Sequence, residues 1–183
     1  EALAQGADTV VTTGALQSNH ARQTAAAAAA AGLRSVLVLF DIVPYEGRLY
    51  RSSGNLLIDE VLGAEVRIVQ PGTDAVAAIR SVMAEIEADG GKPYFVPTGG
   101  SNATGSLGYA LAYGEIADAL DALGIGKARI VHASSSGGTQ GGLIAGAALR
   151  GKGPAIHGIN VYRIDTKAMA DGIHKLATET ANL

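Results

Sequence analysis

Short β-branched or apolar runs alternate with longer helical stretches along the whole chain, and this rhythm restricts the fold more than any other feature. The runs cover residues 9–13, 35–40, 66–69, 94–96, 129–133 and 156–161. Helical stretches follow them over residues 18–31, 55–62, 74–88, 107–123 and 139–149, and a last helix begins at Thr166. Such alternation requires crossover connections between parallel strands, right-handed by the usual chirality. It predicts an α/β fold: a doubly wound, mostly parallel sheet with helices on both faces. The continuous apolar run 35–40 suits a strand buried on both sides. Gly14, Gly32, Gly63 and the Gly90-Gly91 pair mark the ends of elements, and residues 41–51 and 97–105 read as loops. The opening Glu1-Ala-Leu-Ala-Gln-Gly6 reads as the last turn of a helix stopped by Gly6, so the chain reads as a fragment that begins in mid-architecture.

Composition narrows the function. The 183 residues are 48% hydrophobic, enough for a sizeable core and too many for a disordered chain. A formal charge of −3 gives no long-range attraction to nucleic acid or to an anionic membrane. No run approaches the roughly 18–20 apolar residues of a membrane span. With no cysteine, disulfides, thiolate metal sites and cysteine nucleophiles are excluded. His132, His157 and His174 are scattered with no ligand spacing, so no metal site is expected. A cytoplasmic enzyme is the simplest reading.

In a parallel α/β sheet, ligands gather at the carboxyl ends of the strands. Three turns there are richer than their geometry demands. In Ser134-Ser-Ser-Gly-Gly-Thr139 a strand ends, hydroxyls and glycines form the turn, and a small-residue helix begins. Free N–H groups and the positive dipole end of that helix suit a phosphate. A simple cap needs one Ser or Thr and one glycine at most. No Gly-Lys-Ser/Thr follows, so this is not a Walker loop, and the glycine spacing does not match a dinucleotide fingerprint. In Gln17-Ser18-Asn19-His20 four polar residues stand at one helix start, where Ser18 alone could serve as the cap. In Thr98-Gly-Gly-Ser-Asn-Ala-Thr-Gly105, Ser101 and Asn102 fit a ligand loop, and a loop held by its own Asx and Ser turns fits as well.

The stretches Gln17-Ser18-Asn19-His20-Ala21-Arg22-Gln23, Gly54-Asn55-Leu56-Leu57, Gly99-Gly100-Ser101-Asn102 with Gly108-Tyr109, and Ser136-Gly137-Gly138-Thr139 occur in one order along the chain. Together they resemble the D-cysteine desulfhydrase / 1-aminocyclopropane-1-carboxylate deaminase family, pyridoxal-phosphate enzymes with the tryptophan-synthase β-like fold (fold type II). The resemblance implies that Ser136, Gly137, Gly138 and Thr139 hold the cofactor phosphate and that Asn19 bonds the ring hydroxyl. It implies that Gln17, Ser18, Asn19 and His20 meet the substrate carboxylate, with Ser18 the catalytic candidate. His20 stands where the deaminase branch usually has Gln. The sequence therefore leans toward D-cysteine desulfhydrase or L-cysteate sulfo-lyase, lyases that release pyruvate and ammonia from a small amino acid, commonly as homodimers.

Two departures accompany the resemblance. The family's Schiff-base lysine lies some tens of residues before the Gln-Ser-Asn-His stretch, whereas here 16 residues precede Gln17 and the first lysine is Lys92. The C-terminal portion of the family is also missing. The resemblance thus implies a central region incomplete at both ends that should not turn over as it stands. Within it, roughly residues 14–105 would belong to the smaller domain and 106–183 to the larger cofactor domain.

Overall fold

The computed structural model of the chain describes residues 1–45, 47–161 and 165–183. It forms two compact units, Glu1–Thr98 and Gly99–Leu183, each with its own parallel sheet. In the first, β1 (Thr9–Ala15), α1 (Asn19–Ala30), β2 (Arg34–Phe40), α2 (Gly54–Val61), β3 (Glu65–Val69), α3 (Ala75–Ala88) and β4 (Pro93–Val96) follow in order. The sheet order is β3-β2-β1-β4, and every pair is parallel.

Successive side chains of a strand point to opposite faces, and both faces of β1 and β2 are covered. Val11, Val36 and Val38 pack with Val82 and Ile86 of α3. Leu37 and Leu39 pack with Leu16, with Ala21 and Ala25 of α1, and with Leu56 of α2. The alanine-rich α1 buries Ala21, Ala25 and Ala28, spaced to lie on one face, so the helix can sit close to the sheet. Each of these leucines and valines contributes about 1.5–3 kcal/mol by leaving water. The buried threonines do not leave hydroxyls stranded: Thr13 Oγ1 donates to the Val38 carbonyl at 2.9 Å, and Thr12 Oγ1 to that of Val96 at 2.8 Å.

The second unit contains α4 (Ala103–Ala122), β5 (Arg129–Ser134), α5 (Gly138–Arg150), β6 (Ala155–Asn160) and α6 (Thr166–Ala181). β5 and β6 run parallel, from Arg129 opposite Ala155 to Ser134 opposite Asn160. One side of this pair packs on Tyr113, Ala117 and Leu143 through Ile130 and Ile156. The other side leaves Val131 and Ile159 65% and 55% exposed. Helices α4 and α5 touch almost backbone to backbone. A Cβ at Gly142 would overlap the Ser106 carbonyl oxygen, and one at Gly146 would come within 2.5 Å of the Ala110 oxygen. Glycines one turn apart therefore form the contact strip of α5.

The α/β class, the parallel pairing and the helices on both faces of the larger sheet are as the rhythm predicts. Among the described residues the strands form two sheets, of four and of two strands. The rhythm is a local signal and carries no information about which distant strands pair. Helix α4 also begins four residues before the expected Leu107. Asn102 accounts for this. Its Oδ1 accepts the Gly105 N–H at 2.8 Å, so residues that read as loop by composition become a capped first turn. Among the described residues, no helix is long and apolar enough to cross a membrane.

Candidate functional site

The turn between β1 and α1 is built by Ser18, whose backbone is extended (ψ 119°) and whose Oγ accepts the Ala21 N–H at 3.1 Å. This caps the helix and leaves the Ser18 hydroxyl proton available. Gly14 permits the turn, because a Cβ there would stand 2.6 Å from Ser18 Oγ. Gln17 has a different task. Its Nε2 donates to the carbonyls of Tyr50 and Ser53 at 2.6 and 2.9 Å, and its Oε1 accepts the Asn55 N–H at 2.9 Å. The side-chain amide of Gln17 thus ties the turn to the start of α2. Gly54 sits beneath that tie with φ +65°, and any side chain there would strike Gln17 Oε1.

Asn55 completes the junction. Its Nδ2 donates to the Gln17 main-chain oxygen at 2.9 Å and to Asn19 Oδ1 at 2.8 Å, while its Oδ1 accepts from Arg22 Nε at 3.3 Å. Asn19 itself is exposed. His20 turns toward the sheet, with Nε2 2.7 Å from Thr12 Oγ1. The Thr12 hydroxyl proton is already given to Val96, so His20 donates from Nε2–H and keeps Nδ1 as an acceptor. Burial holds its pKa below the ordinary histidine value, which makes the ring neutral at neutral pH.

Below this turn, α2 buries Asp59 completely, and neither carboxylate oxygen has a hydrogen-bond partner among the described residues. Burial raises its pKa to about 6, and the charge of Arg22 opposes the rise. The helical spacing of Leu56 and Asp59 places both on the covered side of α2, the one sequence signal that could have revealed Asp59.

In the second unit, Gly137 precedes α5 with φ +87° and, having no side chain, contributes no cap of its own. A left-handed residue here requires glycine and aims the turn's N–H groups outward. The first N–H groups of a helix lack intrahelical partners. That of Gly138 is taken by Ser101 Oγ at 3.2 Å, and the Ser101 hydroxyl donates to Ser136 Oγ at 2.7 Å. Among the described residues the Ser136 hydroxyl accepts this bond and donates none of its own. Gly138 has to be glycine, since a Cβ would lie 2.7 Å from Ser101 Oγ. Thr139 is the second residue of α5 and is partly buried. A pocket of about 130 Å³ opens beside Ser135, Ser136 and Gly137, with Met169 and Ile173 of α6 on its other side. A helix start that follows Gly137, opens on Gly138 and is flanked by hydroxyl groups can hold a phosphate group. Among the described residues, no three His, Asp or Glu side chains gather as a metal ion would require.

Ser136, Gly137, Gly138 and Thr139 therefore meet at one helix start, and Gln17, Ser18, Asn19 and His20 at another. Ser101 joins the first group, although its place there is not legible in sequence: its partners lie 35 and 37 positions away. Asn102, which read equally as a ligand group, is the cap of α4.

Comparison with known proteins agrees with this architecture. A D-cysteine desulfhydrase of Klebsiella pneumoniae is 43% identical over 147 residues, covering 80% of this chain and 44% of the relative. One from Serratia proteamaculans is 42% identical over 146 residues, with the same coverage of both chains. The chain thus spans less than half the length of these curated relatives. Among solved structures, an ACC deaminase homologue superposes with a TM-score of 0.77 at 33% identity, covering 99% of this chain and 53% of its own. A T.th. threonine deaminase, at 18% identity and a TM-score of 0.63 over 84% of this chain and 44% of its own, shares the fold. The family model described as pyridoxal-phosphate dependent enzyme matches residues 1–182, and the chain belongs to that family.

Proposed function

We propose that this chain carries the cofactor- and substrate-holding core of a pyridoxal-phosphate lyase or deaminase. The reaction would eliminate a β-substituent from a small amino acid, D-cysteine or L-cysteate, giving pyruvate and ammonia with sulfide or sulfite. The observation that carries this reading is the glycine-built start of α5 in a chain 43% identical over 147 residues to a D-cysteine desulfhydrase. Bound pyridoxal phosphate supplies an electron sink for the pair left when a proton leaves the substrate α-carbon.

The chain's own groups would act around it. Ser136, Gly137, Gly138 and Thr139 grip the phosphate, with Ser101 aiming the Ser136 proton. Asn19 donates to the ring hydroxyl oxygen. Ser18 is the catalytic candidate, because among the described residues its hydroxyl accepts the Ala21 N–H to cap α1 and donates to no other group. The N-terminus of α1, at Ser18, Asn19 and His20, favours the substrate carboxylate through its dipole and open N–H groups. Gln17 shapes this end through its tie to α2, and His20 through its bond to Thr12. In domain terms, roughly residues 14–105 would form the smaller, substrate-side part and 106–183 belong to the larger cofactor domain of a cytoplasmic homodimer, with the compact units themselves dividing between Thr98 and Gly99. Deamination of 1-aminocyclopropane-1-carboxylate is the neighbouring alternative within the same machinery.

A non-catalytic module that binds phosphate or the free cofactor is a second reading. It is favoured by the position of the lysines at 92, 127, 152, 167 and 175, none of which lies in the three turns. Titrating the chain with pyridoxal phosphate and reducing with borohydride separates the two. Saturable binding that borohydride does not trap supports the module for this chain, and trapping at a single lysine contradicts it. For the lyase, the protein expressed from its native reading frame should release pyruvate and sulfide from D-cysteine, or sulfite from L-cysteate. Tight cofactor retention without pyruvate from any of these amino acids overturns it.

A further inference from the structure

A side-chain amide has a donor end and an acceptor end of nearly the same shape, so turning it over changes its chemistry and hardly its volume. Something must decide which end faces a ligand. At the α1–α2 junction that decision starts at Arg22. A guanidinium only donates. Its Nε meets Asn55 at 3.3 Å, so Asn55 must present Oδ1 to it. The Asn55 Nδ2 is thereby turned to the opposite side, where it donates to the Gln17 main-chain oxygen at 2.9 Å and to Asn19 Oδ1 at 2.8 Å. The Gln17 oxygen is acceptor-only and enforces the same orientation. Both protons of the Asn55 amide are used, and the acceptor end of Asn19 is used with them. What Asn19 has left to offer is Nδ2.

We infer that Arg22 and Asn55 are positioning residues that fix the hydrogen-bonding polarity of Asn19, so that position 19 presents N–H to its ligand and selects an acceptor oxygen. The inference rests on the proposed role of Asn19 at the ring hydroxyl oxygen of pyridoxal phosphate. Its consequence there is chemical: an N–H donor favours the ionised oxygen, whereas a flipped amide would set a carbonyl dipole against it. Arg22, one residue removed in the relay, adds its charge in the same sense. Gly54-Asn55 thus contributes more than a brace between two helices.

The test uses two probes, pyridoxal phosphate and its 3-deoxy analogue, bound to the 183-residue chain, together with NMR of the side-chain amides without ligand. Asn55→Asp keeps a partner for Arg22 but can only accept, so it forces Asn19 to donate inward and to turn Oδ1 outward. The wild type should prefer pyridoxal phosphate over the analogue, and the preference should fall at least tenfold in Asn55→Asp while affinity for the analogue is kept. Arg22→Lys, still donor-only, should retain the preference, and Arg22→Leu should lose it. Without ligand, the Asn55 amide protons should be protected from exchange and those of Asn19 open in the wild type, and in Asn55→Asp the Asn19 protons should become protected. Equal weakening of both probes in every variant indicates a brace only and overturns the inference, as do Asn19 amide protons protected in the unliganded wild type. A wild type that does not distinguish the probes but shows the expected amide protection overturns the proposed role of Asn19 and leaves the relay standing.

Discussion

Asn55 donates twice to Gln17 across 38 positions of chain: its main-chain N–H to Gln17 Oε1, and its Nδ2 to the Gln17 main-chain oxygen, both at 2.9 Å. Removing the Gln17 amide leaves the Asn55 N–H and the Tyr50 and Ser53 carbonyls without it. Each polar group left unsatisfied away from water costs about 1–3 kcal/mol. Gln17→Ala should therefore weaken the junction by about 2–4 kcal/mol. Hydrogen exchange at Gly54 and Asn55 should quicken far more than at the β1–β2 ladder. Uniform acceleration across the first unit would show that the tie is not local.

The cradle should be intolerant of a single methyl group. Gly138→Ala places Cβ 2.7 Å from Ser101 Oγ and pushes that hydroxyl from its bond to Ser136. Binding of pyridoxal phosphate by the chain should fall at least tenfold, with little change in melting temperature. Gly142→Ala should behave the other way, destabilising the second unit by about 3 kcal/mol because backbone cannot move aside as a side chain can. Calorimetry of the two variants beside phosphate titrations distinguishes the two kinds of loss.

Asp59 should cost stability at neutral pH. Its folded pKa, about 6, lies above the ordinary 3.8, so the folded chain holds a proton that the unfolded chain releases in this window. Stability should decline as pH rises from about 4 to 6 and stay lower above it. A shift of this size corresponds to roughly 3 kcal/mol. Asp59→Asn should raise the melting temperature at pH 7–8 and remove that slope in denaturation curves. A variant less stable than the wild type at pH 8 would show that the carboxylate is stabilised by its surroundings after all.

His20 acts with the opposite sign. Its folded pKa is depressed below the ordinary 6.5 by burial, so below that pH the unfolded chain takes up a proton that the folded chain refuses. Stability should be fully present above pH 6.5 and fall on acidification below it. His20→Gln, which can still donate to Thr12, should flatten this part of the profile. An NMR titration giving His20 a pKa at or above 6.5 refutes the assignment.

What could be read from the residues alone was what short-range chemistry encodes. The βα rhythm, the Ser18 cap, and the glycines and hydroxyls around Ser136 lie within a few positions of the groups they serve. Gln17 illustrates the limit. As one of four polar residues at a helix start it read as a ligand group, yet its side chain is bound to residues 33 to 38 positions later. Ser101 could not be joined to Ser136 for the same reason. His20 lay between these cases: Thr12 is only eight positions earlier, but the bond depends on the turn placing the first coil of α1 over the strand end.

The pairing of β5 with β6 alone has a practical consequence. Among the described residues these strands pair only with each other, which leaves each an outer edge, and the face bearing Val131 and Ile159 is open. Such an edge is a template for further strands. Preparations of this chain should self-associate as concentration rises, and a lysine introduced at Val131 should delay that more effectively than any change at the ligand-binding turns.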